Sequence, residues 1–285
     1  MKHFISKTII LIIIVSVVLV VYYMLRLWTL KPLDSDAIYV WGDSQTYQGI
    51  QIDVLSKKIS CPIFSAAEHG NGVYDLLVFA NNIPDSSTCI VGFSEACLLR
   101  KISSDNNRSG ANIPALFALY KSGYPLTEIL NIFKVNRGVP KRLFSTSHSM
   151  YAYSDTISLP ESVVDWCNMF AKEDIYHQYK QKAYLTAINK LHQKGCTVVF
   201  VSFPIYYLVE ECASTSINRA KTREFKGKIL DIYNIKEKSY LMQSDSLLMH
   251  DLSHLNEVGA RIATQMLADS IKFDGTDYFF SIHLQ

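Results

Sequence analysis

Ile38-Tyr39-Val40-Trp41-Gly42-Asp43-Ser44 runs four β-branched or aromatic residues straight into Gly-Asp-Ser. Gln45, Thr46, Tyr47 and Gln48 follow, all compatible with a helix. This order reads as a short buried strand, a tight turn and a helix. It places Ser44 at the carboxyl end of a strand and the amino end of a helix, where open α/β sheets hold their ligand sites. The free N–H groups of a helix amino terminus favour negative charge. A serine there is suited to attack a carbonyl, the resulting oxyanion being held by nearby amides. Such a nucleophile needs a base, and the base an orienter. Asp251-Leu252-Ser253-His254, near the other end of the chain, offers both.

Outward from this stretch the chain alternates. A helix carrying Ile50, Ile52, Val54, Leu55 and Ile59 is expected to run from Ser44 to about Ser60. Pro62 to Ser65 reads as a second strand, Ala66 to Gly72 as a loop, and Val73 to Asn82 as a helix. Thr88 to Val91 is a third buried strand, ending at Gly92-Phe93-Ser94-Glu95. From Leu98 to about Pro160 the pattern weakens. Pro114–Lys121 and Leu126–Val135 look like short helices, and the region reads as an insertion over the catalytic end that carries substrate contacts. Glu161 to Lys194 is helical in composition and stops at Gly195. Thr197 to Val201 is a fourth core strand. A helix from Ser216 to Tyr233 follows, then Ser239 to Met242 as a weak fifth strand. The last helix spans Asn256 to Ile271, with Val258, Ile262, Met266 and Leu267 expected to face inward. Strands separated by helices imply parallel pairing, and parallel strands covered on both faces read as continuous apolar runs. The expected fold is therefore three-layer α/β/α with a central parallel sheet of about five strands.

Each chemical element has a plainer reading alone. Gly-Asp-Ser is frequent in turns, and Asp-x-x-His can be a helix-capping arrangement. Together, Gly42-Asp43-Ser44 after the first strand and Asp251-x-x-His254-Leu255-Asn256 before the last helix resemble the SGNH (GDSL-type) hydrolases, over about Ile38 to Ile271. The resemblance implies a flavodoxin-like fold, Ser44 as nucleophile, His254 as base and Asp251 as orienter. It also implies a glycine amide in the oxyanion hole, matched by Gly70 with Gly72 as the alternative. The family's third block is Gly-x-Asn-Asp, whose Asn completes the hole; here Ser94 stands at that position. Losing one such donor typically costs about 2.7–4 kcal/mol of transition-state stabilisation. Membrane-anchored relatives with altered third blocks look like polysaccharide acyltransferases and esterases. Asp43 reads as a turn residue rather than a catalytic acid. His69 and His250 lie beside the expected site, where surface polarity accounts for them equally. The tyrosines from Tyr176 to Tyr184 read as core rather than a sugar platform.

The chain has 285 residues, 49% hydrophobic and 19% charged, with a net charge of +2, so no basic patch points to nucleic acid. The amino terminus differs. Lys2, His3 and Lys7 precede an uncharged run from Thr8 to Leu25. At about 1.5 Å per residue this nearly spans a hydrocarbon core of about 30 Å. Tyr22, Tyr23 and Trp28 stand where interfacial aromatics belong, with Arg26 and Lys31 just beyond. A signal peptide would have a shorter apolar region ending in small residues. The expectation is an uncleaved single-pass anchor over 1–30, a linker over 31–37, and a domain over 38–285 outside the cytoplasm. Cysteines stand at 61, 89, 97, 167, 196 and 212. Cys61, Cys89 and Cys196 border apolar runs and read as buried free thiols. An extracytoplasmic location permits disulfides, but spacing assigns no pairs. No His/Cys clustering suggests a metal, and no cofactor is expected. The expected function is a serine esterase or acyltransferase acting on acyl, chiefly acetyl, esters of envelope glycans. The alternative is a degenerate domain that binds glycan or an assembly partner.

Overall fold

The computed structural model describes residues 7–18, 36–99, 112–136, 144, 163–164, 167–168, 178–205, 209, 211, 216–239, 246–273 and 278–280. Two compact units divide it, Met1–Asp34 and Ser35–Gln285. In the first, residues 7–18 form a helix whose apolar side chains are exposed. Residues 1–6 and 19–30 of the expected anchor lie outside the described residues. Among the described residues, no helix is long and apolar enough to cross a membrane.

The second unit is an α/β structure around a five-stranded parallel sheet. Its strands are β1 (Ile38–Trp41), β2 (Ile63–Ser65), β3 (Thr88–Gly92), β4 (Thr197–Ser202) and β5 (Lys236–Ser239), in the order β2-β1-β3-β4-β5. The helices are α1 (Ser44–Gly49), α2 (Ile52–Ile59), α3 (Val73–Asn82), α4 (Glu95–Leu99), α5 (Ile113–Lys121), α6 (Leu126–Asn136), α7 (Gln178–Gln193), α8 (Ile217–Tyr233) and α9 (Glu257–Ser270). A 3-10 turn, Ser246–Leu248, precedes α9, and an antiparallel pair, β6 (Ile271–Phe273) and β7 (Tyr278–Phe280), follows it.

The period-two alternation of the strands sorts the helices into two layers. Ile38, Val40, Ile90, Val199 and Val201 form one buried cluster with Ile52 and Leu55 of α2 and Ala260, Ala263 and Leu267 of α9. On the other face Tyr39 stacks on Phe64, and Phe200 packs against Phe93 and Tyr184 of α7. There α3 packs on α7 and α7 on α8, while α9 touches α1 and α2. Each fully buried large side chain in these layers contributes about 1.5–3 kcal/mol.

Three expectations need correction. The helix after Ser44 is broken, because Ile50 and Gln51 are extended. The Gln51 N–H donates to Thr264 Oγ1 at 2.9 Å instead of continuing a helical ladder. The fifth strand is Lys236–Ser239, earlier than Ser239–Met242; residues 240–245 lie outside the described residues. It is an edge strand whose charges escaped a search for apolar runs. Glu237 accepts from Lys226 Nζ at 2.7 Å, and lysines discourage pairing with other chains. On α9, Val258 and Ile262 are exposed, whereas Gly259, Ala260, Ala263, Thr264 and Leu267 are buried. A Cβ on Gly259 would lie 2.3 Å from Leu248 O, so close approach selects the small-residue face. Of the helical stretch expected from Glu161, α7 covers Gln178–Gln193 and stops at Gly195, φ 71°; residues 163–164 and 167–168 are helical, and 161–162, 165–166 and 169–177 lie outside the described residues.

In the inserted region α5 packs on α3 and α7, which thickens that helix layer. Residues 100–111, 137–143 and 145–160, on which the expected substrate contacts fall, lie outside the described residues. Cys61, Cys89, Cys97 and Cys196 are buried free thiols, whereas Cys167 is disulfide-bonded.

Candidate active site

Ser44 is the first residue of α1, directly after the β1 turn. Asp43 caps that helix, its Oδ1 accepting the Gln45 N–H at 3.0 Å. Asp43 is thus occupied as a turn residue. Two contacts hold the turn beneath Ser44. A Cβ at Gly42 would lie 2.0 Å from Thr46 Oγ1, and one at Gly92 1.7 Å from the same atom. Thr46 is therefore packed against both glycines, and α1 rests on the ends of β1 and β3 with no room for a side chain at either place.

His254 reaches Ser44 from the far end of the chain. Residues 246–256 form a compact turn: Met249 bridges Leu255, the Asn256 N–H donates to Leu248 O at 2.9 Å, and His250 N–H donates to His254 O at 2.8 Å. Asn256 then caps α9, its Oδ1 accepting the Gly259 N–H. Within this turn the peptide folds around the Asp251 carboxylate. Asp251 Oδ1 accepts the N–H groups of Ser253 at 2.8 Å and His254 at 2.9 Å, and the Ser253 hydroxyl at 3.3 Å. Asp251 Oδ2 stands 2.6 Å from His254 Nδ1, and His254 Nε2 2.8 Å from Ser44 Oγ.

The donor inventory settles the roles in this chain of contacts. An ionised carboxylate only accepts, so Nδ1 carries the hydrogen of a neutral His254. Nε2 then presents its lone pair to the Ser44 hydroxyl. Burial pushes the Asp251 carboxyl up, but the His254 hydrogen bond and charge, with the N–H groups of Ser253 and His254, outweigh it and hold the pKa below the usual carboxylate value. Ser44 is buried, and the His254 side chain is 17% exposed. The arrangement has the geometry of a hydroxyl, a base and an orienter.

The other expected residues lie on the loops that follow β2 and β3. Gly70 has φ 76°, a left-handed conformation that favours glycine. Its loop is tied to the β1 turn: Asn71 Nδ2 donates to Gly42 O and Ala66 O, both at 2.8 Å, and the Glu68 N–H donates to Gly42 O at 3.2 Å. Gly72 instead caps α3, its N–H donating to Asp75 Oδ2 at 2.9 Å, so that amide is already engaged. Ser94 is buried two residues beyond Gly92, between β3 and α4.

The sequence left His69 open between the site and the surface, and gave no sign of Gln45. The His69 ring packs on Tyr47 with centroids 4.9 Å apart and faces His254 edge-on at 6.4 Å. Burial lowers its pKa, with the nearby His254 acting in the same direction against weaker effects of Glu68 and Asp43. Its place beside Gly70 was the available signal. Gln45 contacts the His254 turn directly, and nothing local in the sequence marks that. Tyr184 is buried core, while Tyr176 lies outside the described residues. Among the described residues, no group of His, Cys, Asp and Glu is arranged to hold a metal. No protein-family model matches this chain, and no curated protein matches it.

Proposed function

We propose that the chain is a membrane-anchored serine esterase or acyltransferase of the SGNH type, with a flavodoxin-like fold, acting on acetyl esters of envelope glycans. The observation that carries this reading is the hydrogen-bonded chain Ser44 Oγ, His254 Nε2, His254 Nδ1, Asp251 Oδ2. In the first half-reaction Ser44 Oγ bonds to the acyl carbon while His254 Nε2 takes its proton. The tetrahedral oxyanion is held by the N–H groups of Ser44 and Gly70, with the Ser94 hydroxyl as a further donor. Collapse breaks the ester bond, and His254 returns the proton to the departing alcohol. Water or an acceptor hydroxyl then gives its proton to His254 and attacks the acyl-serine; the acyl–Oγ bond breaks and His254 passes the proton back to Ser44 Oγ. Asp251 holds the imidazole tautomer and stabilises the imidazolium that forms.

The strand order β2-β1-β3-β4-β5 supports the fold assignment, because doubly wound sheets of this order carry their site between β1 and β3. The apolar run from Thr8 to Leu25 supports anchoring, and the disulfide at Cys167 fits an oxidising compartment. The test is kinetic. Ser44→Ala is expected to lower kcat for a small acetyl ester by about 10³-fold or more with the fold retained. Unchanged activity in that variant rejects the assignment.

Ser94 at the position of the family's Asn favours a second reading, a domain that binds glycan without turning it over. Binding of an acetylated oligosaccharide with no hydrolysis and no transfer to an acceptor sugar would decide for it.

A further inference from the structure

Gln45 follows the nucleophile, Ser253 precedes the base, and these two neighbours are themselves joined. Gln45 Nε2 donates to Ser253 O at 3.0 Å, and both residues are buried. The Ser44–His254 contact and the Gln45–Ser253 contact are thus parallel rungs between two adjacent pairs of residues. One rung fixes a distance; two rungs also fix how the imidazole is turned toward Oγ. The same peptide is held on its other side by Asp251, whose Oδ1 accepts its His254 N–H at 2.9 Å as well as the Ser253 N–H and O–H. Further along, the Gln51 N–H donates to Thr264 Oγ1, and Gln51 Nε2 lies 3.4 Å from Glu257 O. Segment 44–51 and segment 251–264 are therefore braced at both ends, and the brace nearest the chemistry is Gln45.

We infer that Gln45 is a positioning residue that sets the Ser44–His254 alignment from outside the reacting atoms, an inference that rests on the proposed serine chemistry. A side chain that only filled space would contribute equally to the folded state and to every step. A positioning residue acts through His254 alone. Misplacement of reacting groups by about 1 Å can cost on the order of 10²-fold in rate.

The experiment uses the full chain and a small acetyl ester. Gln45→Met keeps the volume and removes the amide donor. The expected result is a kcat about 10- to 100-fold lower with KM within about threefold. In a His254→Ala background the same substitution is expected to change the residual rate by less than about threefold, because the group it positions is gone. Where Gln45→Met does not fold, Gln45→Asn, whose arm is one methylene shorter, is measured in the same way. A kcat within about twofold of wild type, or an equal loss with and without His254, overturns the role of Gln45. Ser44→Ala is run beside it: if that variant keeps full activity, the serine chemistry itself has failed rather than the brace.

Discussion

At the scale of single residues, the account turns on which atom carries which hydrogen. Asp251→Asn replaces an acceptor with an amide that can present its NH2 to Nδ1 and so favour the wrong imidazole tautomer. The expected loss in kcat is about 10²- to 10⁴-fold with little change in KM, read from initial rates on an acetyl ester. His69 gives a different signature. Its folded pKa lies below the ordinary 6.5, so the unfolded chain binds a proton there more readily. Stability is therefore lost as pH falls below 6.5, and not as it rises. His69→Gln is expected to flatten the melting temperature against pH in that window; an unchanged slope would assign the loss to other groups. The meeting of Ser44, Asp251 and His254 was legible because each belongs to a local pattern. Gln45 was not, since its partner lies 208 residues away and nothing in Gln-Thr-Tyr-Gln signals it.

At the scale of elements, close approach decides more than propensity does. The α1 helix lies on Gly42 and Gly92 with Thr46 between them. Gly92→Ala is expected to destabilise the domain by about 1–3 kcal/mol through overpacking, measured by denaturant unfolding, and Thr46→Ala to recover part of that. A neutral Gly92→Ala would mean that the β3 end is not pressed against α1. Thr264→Val removes the acceptor of the Gln51 N–H and leaves it buried, at a cost of about 1–3 kcal/mol. Strands β1 to β4 were readable as apolar runs because both faces of the sheet are covered. Strand β5, at the opposite edge from β2, was not, because Lys236, Glu237 and Lys238 are charged, which discourages pairing with other chains. The break at Ile50–Gln51 also escaped, since the bond that makes it is tertiary. The inward face of α9 was misread for a related reason: a helix pressed against Leu248 buries alanine and exposes Val258 and Ile262.

At the scale of the whole molecule, sheet order brings the two ends of the domain together. Because β1 is an inner strand and α9 packs beside α1 and α2, the hydroxyl after the first strand meets the imidazole before the last helix. The proposed anchor makes its own prediction. The full chain is expected to sediment with membranes and to need detergent for release, whereas a chain beginning at residue 36 remains in the supernatant; release of the full chain by salt alone would contradict it. The central claim, that folding activates Ser44 as a nucleophile, is tested most directly by an organophosphonate probe with the adduct located by mass spectrometry. One adduct is expected, on Ser44, absent in Ser44→Ala and formed far more slowly in His254→Ala. A folded wild-type protein that takes up no probe, or takes it up at another residue, would contradict it.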